Sequence, residues 1–361
     1  MHWATLSFLA FIALPLAQAQ SVYPAGVTER RLQPSRASYN WRGSQSQALY
    51  TIIWYPAAAN AAVEDRWVGP PGSAFAKAGR AAPNAVLADK PAKFPVVVMS
   101  HGNGGSALML AWLGTRLAEA GFIAAAVNHP GNNALEPYTP QGFALWWERA
   151  NDMSEVLNAL LKDSQFGPRI DPSRVGAAGF SLGGFTAIEL AGGIGTHARL
   201  QEFCKSKNAD AMCKPQVEFP DLEDKAAAVA QTPEFARSVA ESERSHRDAR
   251  IKAVFTIAPA LGPAFLPGDL QKIRIPVAIV SGDADPVVPI ESSARFFAKH
   301  IRGATLTLYP GGVGHYTFLA VCTEQAKRDQ PAYCADPAGV NREAIHSQAA
   351  AEAIRFFRKH L

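Results

Sequence analysis

Seven short apolar runs, each followed by a turn and then by a helical pattern, leave this chain few folds to adopt. They are LYTIIWY (49–55), VVVM (96–99), FIAAAV (122–127), VGAA (175–178), AVFTI (253–257), VAIV (277–280) and TLTL (305–308). Most of these runs do not alternate apolar with polar residues, as strands do when one face meets water. They suit strands covered on both faces. Helical patterns at 109–120, 145–162, 183–190, 292–301 and 343–360 separate or follow them. Strand–helix alternation of this kind predicts an α/β fold, a doubly wound and mostly parallel sheet with helices on both faces. In such sheets ligands bind at the carboxyl ends of the strands.

Two segments interrupt the rhythm. Residues 57–94 are rich in Ala, Pro and Gly and read as a long loop with one short helix. Residues 193–250 hold 19 charged residues in 58, about a third, against 18% for the whole chain. A charged, partly helical insertion between two sheet strands suits a cap or lid over the strand ends. A solvated surface excursion is the competing reading.

The stretch GFSLGGF (179–185) puts Ser181 between two glycines, at the junction of the run 175–178 and the helical pattern 183–190. G-x-S-x-G alone carries little information. Placed between a strand and a helix, it describes a sharp turn that exposes a serine hydroxyl above the following helix N-terminus. Such a serine needs a base, and the base needs an orienting acid. Of the histidines beyond the insertion, His300, His346 and His360 fall in helical patterns. His315 sits in a glycine-rich loop, YPGGVGHYTF, directly after TLTL. The acid should leave the end of the preceding strand, in VAIVSGDADPVVP, which offers Asp283 and Asp285. Asp285 precedes a proline and so favours an extended backbone, whereas Asp283 suits a turn cap. Asp285 is therefore the preferred acid. Oxyanion donors are expected from the N–H of Leu182 and from the loop SHGNGGS (100–106), with Asn103 N–H as the second donor and His101 beneath it.

The first twenty residues, MHWATLSFLAFIALPLAQAQ, carry no acidic residue, Lys or Arg, and end in a small-x-small pattern. They read as a signal peptide, 1–19, removed near Ala19, which leaves one domain at 20–361 in a periplasmic or secreted protein. The four cysteines form two close pairs, Cys204/Cys213 and Cys322/Cys334. In an oxidising compartment these read as two local disulfides, although four cysteines allow three connectivities, and zinc is the competing use. A net charge of +4 with no Lys/Arg run does not suit nucleic acid, and no later apolar stretch reaches the ~20 residues of a membrane span.

Taken together, FPVVVMSHGNGG, GFIAAAVNHPG, DPSRVGAAGFSLGG, GDADPVVP and GHYTF resemble segments of serine α/β-hydrolases. The nearest groups are dienelactone-hydrolase-like proteins and secreted platelet-activating-factor acetylhydrolases. The resemblance covers about 48–192 and 251–320. It implies Ser181 as nucleophile, Asp285 as acid and His315 as base. Dienelactone hydrolases proper carry cysteine at the elbow, where Ser181 stands here. The chemistry expected is two-step acyl transfer on a small-molecule ester, with no metal and no organic cofactor. An amide or peptide hydrolase and a catalytically silent binding protein are the alternatives. His129, Asn132 and Trp146 are candidate pocket residues, each equally readable as packing.

Overall fold

Phe94–Ser100 forms a strand, β5, in which all seven residues are buried. Its side chains divide by parity. Val96 and Val98 enter one core, while Val97 and Met99 enter another on the opposite face. This is the period of two expected for a strand sandwiched between helical layers. The computed structural model describes residues 23–35, 42, 48–70 and 72–361, so the expected signal peptide lies outside the described residues.

Around β5 the described residues form an eleven-stranded sheet. The other strands are β1 (Ala25–Leu32), β2 (Leu49–Pro56), β3 (Glu64–Val68), β4 (Ala76–Pro83), β6 (Ile123–Val127), β7 (Ile170–Phe180), β8 (Ile251–Ile257), β9 (Val277–Gly282), β10 (Thr305–Tyr309) and β11 (Val321–Cys322). The order is β10-β9-β8-β7-β5-β6-β2-β1-β4-β11, with β3 paired to β4. From β10 to β6 every neighbouring pair is parallel. β2 then runs antiparallel to β6, and β1 antiparallel to β2.

Helices Glu148–Lys162, Leu182–Ala191 and Ala294–His300 contribute to the core on one face, and Ala111–Glu119 and Arg342–His360 to the core on the other. From β5 the chain crosses to β6 on one side, and from β6 back over β5 to β7 on the other. The direction of winding therefore reverses at the carboxyl ends of β5 and β7, the switch point at which sheets of this kind bind ligands. The loops after these two strands are SHGNGGS and the turn at Ser181. Among the described residues no helix is long and apolar enough to cross a membrane.

All seven expected strands are present with shifted ends. The segment 57–94 is not a loop with a short helix. It holds β3 and β4, which pair antiparallel with a register shift between Asp65 and Trp67. β4, AKAGRAAP, buries Ala76, Ala78, Ala81 and Ala82 and exposes Lys77. Small residues are used there because Ala111–Glu119 approaches closely. A Cβ added at Gly79 would lie 3.0 Å from Thr115 Oγ1.

Residues 193–250 hold the helices His197–Cys204, Leu222–Val229 and Pro233–Glu241. Disulfides join Cys204 to Cys213 and Cys322 to Cys334, and among the described residues no cysteine is free. A zinc site on these cysteines is thereby excluded.

Candidate active site

β7 delivers Ser181 into a backbone that few residues adopt, φ 56° and ψ −119°. A non-glycine residue there is strained, and neighbours must hold it in place. Ser181 N–H donates to Ile257 O on β8 (2.9 Å), and Ser181 O accepts from Ala260 N–H (3.1 Å). The flanking glycines are required by close approach. A Cβ on Gly179 would fall 2.0 Å from Gly183 O, and one on Gly183 would fall 1.9 Å from Ser100 O. The GxSxG pattern is thus the steric condition for bringing strand, turn and helix against β5.

The three residues singled out for acyl transfer come together. Ser181 Oγ lies 2.9 Å from His315 Nε2, and His315 Nδ1 lies 2.6 Å from Asp285 Oδ2. All three side chains are buried or nearly so. An ionised carboxylate can accept but not donate, so Nδ1 carries the imidazole proton and Nε2 presents its lone pair to the serine hydroxyl. The other oxygen of Asp285 accepts from the N–H groups of Val287 and Val288, at 2.9 and 2.8 Å. Asp283 does not touch His315. It accepts from the N–H groups of Gly311, Gly312 and Val313 at 2.9–3.1 Å, and so braces the loop that carries the histidine.

The loop after β5 passes beside the serine: a Cβ on Gly102 would lie 3.3 Å from Ser181 Cβ. Gly104 N–H donates to Asn132 Oδ1 (2.7 Å), and Gly105 N–H to Gly102 O (3.3 Å). Among the described residues no acceptor meets Asn103 N–H. Leu182 opens its helix, so its N–H has no acceptor within the helix. Two donors thus remain near Ser181 where negative charge would develop on a substrate carbonyl oxygen.

Beneath this loop lies a buried polar network that extends well beyond the sequence expectation. His101 donates from Nδ1 to Gly102 O (2.6 Å) and accepts His129 N–H at Nε2 (3.2 Å). Arg149, fully buried, donates to His101 O, to Ser100 Oγ (3.2 Å) and to Asn132 Oδ1 (3.3 Å). Burial pulls its guanidinium down to about 9, with the Asp152 carboxylate opposing. Asn132 in turn donates to Asn103 Oδ1 (2.9 Å) and to Gly142 O (3.2 Å). A second Ser–His–Asp chain is present here. His129 Nε2 lies 2.8 Å from Ser100 Oγ, and His129 Nδ1 lies 2.8 Å from Asp152, which Arg42 also pairs.

Ser100, His129 and Asp152 are at most marginally exposed, at 0% each. No substrate can reach that chain. The candidate pocket residues His129 and Asn132 are therefore supports of the loop, and Trp146, 4% exposed, packs against His197 at 3.9 Å between ring centroids. All three are buried. Arg149 is a site-supporting residue that the sequence reading missed. Its signal was the helix phase, since it shares a face with Met153 and Val156, both buried.

The 193–250 segment reaches the same place. Phe219 packs on Phe143 with centroids 5.0 Å apart, and Trp147 Nε1 donates to Ser238 Oγ (2.9 Å). Asn103 Nδ2 donates to Gln216 Oε1 at 2.7 Å.

Burial holds His101 and His129 well below the ordinary histidine range, and takes His346 down to about 3. At His129 the charges of Arg149 and Arg42 add to the effect of burial. An unfolded histidine titrates near pH ~6.5, so below that pH the unfolded chain binds more protons than the folded one. Stability contributed by the three neutral rings is present above about pH 6.5 and declines as pH falls through it. Urea midpoints measured from pH 7.5 to 4.5 should fall steadily below about pH 6.5. His346→Asn, which removes one of the three groups, should flatten that slope.

Comparison with known proteins agrees with this architecture. A family model described as platelet-activating factor acetylhydrolase, isoform II, matches residues 75–143. The chain is 43% identical over 44 residues to a putative non-heme chloroperoxidase of Synechocystis sp., covering 12% of this chain and 16% of that protein. It is 35% identical over 80 residues to Lipase 1 of Moraxella sp., covering 22% of each. The chain thus spans less than a quarter of the length of these curated relatives. A ferulic acid esterase from Streptomyces cinnamoneus superposes with a TM-score of 0.62 at 20% identity, over 96% of this chain and 92% of that one. The chain has the α/β-hydrolase fold.

Proposed function

We propose that this α/β-hydrolase-fold protein is a serine hydrolase that cleaves carboxylic esters of small molecules through an acyl-enzyme on Ser181. The observation that carries the reading is the continuous chain Ser181–His315–Asp285 beside two backbone N–H groups without internal acceptors. Ser181 Oγ attacks the ester carbonyl carbon while His315 Nε2 takes its proton. The carbonyl oxygen becomes an oxyanion at the N–H groups of Leu182 and Asn103, and Asp285 stabilises the imidazolium. His315 then passes the proton to the departing alcohol. In the second half, His315 deprotonates a water that attacks the acyl carbon, and the acid leaves as Ser181 recovers its proton.

An ester is favoured over an amide by the relatives, which are named a lipase, an esterase and an acetylhydrolase. The 193–250 segment is read as a cap that shapes the substrate pocket from outside the reacting groups. Two disulfides favour an oxidising compartment, and with the N-terminal pattern they support export.

Incubation with a fluorophosphonate followed by peptide mapping tests the reading. The label is expected on Ser181 and not on Ser100, whose hydroxyl belongs to the buried chain. A fully active protein that reacts at neither serine, or at another, overturns it.

A further inference from the structure

Glu218, from the 193–250 segment, reaches the loop that carries Asn103. Its Cγ lies 3.3 Å from where a Gly104 side chain would begin, and its Oε2 accepts a 3.4 Å hydrogen bond from Asn103 Nδ2. Among the described residues no lysine, arginine or histidine forms an ion pair with it. Three tyrosines gather there from three other segments. Tyr138 donates its hydroxyl to Gly104 O at 2.8 Å. Tyr316 follows His315 and stands edge-on to that ring, with centroids 5.3 Å apart. Tyr333 rests T-shaped on Tyr316 at 4.8 Å. Burial raises the hydroxyl of each tyrosine, and the charge of Glu218 adds to the effect on all three. Tyr333 is held in turn by Arg342, which donates to its carbonyl oxygen at 3.1 Å, and by the neighbouring Cys322–Cys334 bond.

A carboxylate without a paired cation, with Tyr138 beside it at Gly104 and its charge felt at the stacked pair Tyr316 and Tyr333, is half of an interaction. The ring faces attract positive charge, and the carboxylate adds a longer-ranged pull. A neutral alkyl group would gain from ring contact alone. An anion would be repelled by Glu218. The faces of the rings suit a methylated ammonium, whose alkyl groups and charge both gain from an aromatic face, so an alkylated ammonium uses the rings and the carboxylate together. A phosphate beside that ammonium would bring negative charge toward Glu218, which disfavours zwitterionic head groups.

We propose that Glu218, Tyr138, Tyr316 and Tyr333 form a subsite for an alkylated ammonium group, so that the substrate is an ester with a net positive charge close to the scissile carbonyl. This rests on the ester-hydrolase reading and narrows it to a substrate class. The cap segment then contributes to specificity by supplying the charge.

Two measurements test it separately from the hydrolysis itself. Calorimetric titration of the Ser181→Ala variant with tetramethylammonium should show saturable binding. Glu218→Gln in the same background should weaken it about tenfold, and Tyr333→Ala, which keeps the charge, about threefold. Phosphocholine should bind at least about tenfold more weakly than tetramethylammonium. In the enzyme with Ser181 intact, kcat/KM for 2-(trimethylammonio)ethyl acetate is compared with that for its carbon isostere, 3,3-dimethylbutyl acetate. The charged ester should be favoured, and Glu218→Gln should reduce that ratio about tenfold. An enzyme that cleaves both esters with the same ratio before and after Glu218→Gln overturns the subsite, as does absence of tetramethylammonium binding. Binding that depends on Glu218 in a protein that takes no fluorophosphonate label at Ser181 upholds the subsite and overturns the hydrolase reading.

Discussion

Ser181→Ala should lower kcat for an ester substrate by a factor of about 10⁴ or more while the protein stays folded. The serine hydroxyl makes one side-chain hydrogen bond in the structure, to His315 Nε2. Its removal leaves His315 still bonded to Asp285, and leaves the backbone N–H groups of Leu182 and Asn103 in place. Binding and oxyanion stabilisation therefore survive, and the attack on the carbonyl is what disappears. Alanine at φ 56° is no easier to accommodate than serine, since both carry a Cβ, so the strain of the turn is unchanged. Thermal unfolding should shift by no more than the small amount of a surface substitution, about 0.5 kcal/mol. Single-turnover and steady-state rates on a chromogenic acetate, read beside circular dichroism, check both halves. A folded variant that retains more than about a tenth of the rate removes Ser181 from the nucleophile role.

The hydrogen-bonded trio of Ser181, His315 and Asp285 was legible in the sequence because each member leaves the end of a strand whose apolar run is visible, and because serine, acid and histidine follow one another in the chain order of the α/β-hydrolase fold. The expected β-rich sheet centre was legible for the same reason. The strands that escaped notice have no such run. β1 is AGVTERRL, with Glu29 and Arg31 exposed, and β4 hides its inward face behind alanine. His129 and Asn132 were recognisable as polar residues at a strand end, but not as buried ones. Which way such a side chain points depends on how the 128–133 loop folds under the 100–106 loop, a relation between segments about 28 residues apart. The three N–H groups held by Asp283 lie 28–30 residues away and are equally invisible in sequence. Glu218 is one acid among many in a charged segment. Only the fold sets it among three tyrosines.

Asp285→Asn should cost about 10⁴ in kcat, and the geometry says why an uncharged isostere is no substitute. One oxygen of Asp285 is fixed by two donors, the N–H groups of Val287 and Val288. An asparagine must turn its carbonyl oxygen to those donors, since its NH₂ group cannot accept from them. The NH₂ then faces His315 Nδ1, where the carboxylate oxygen had been. A ring nitrogen that meets a donor must present its lone pair, so the imidazole proton moves to Nε2. In that tautomer the ring cannot accept the proton of Ser181. Asp283→Asn should behave differently. Its carboxylate binds three backbone N–H groups, with Gly312 and Val313 on one oxygen and Gly311 on the other. The amide keeps its oxygen toward the first two and loses the bond to Gly311, which loosens the histidine loop without inverting the ring. A loss of about tenfold is expected there, so the two variants should differ by about 10³. If Asp283→Asn proved the more damaging of the two, the orienting acid would be Asp283 and the proton path drawn through Asp285 would be wrong.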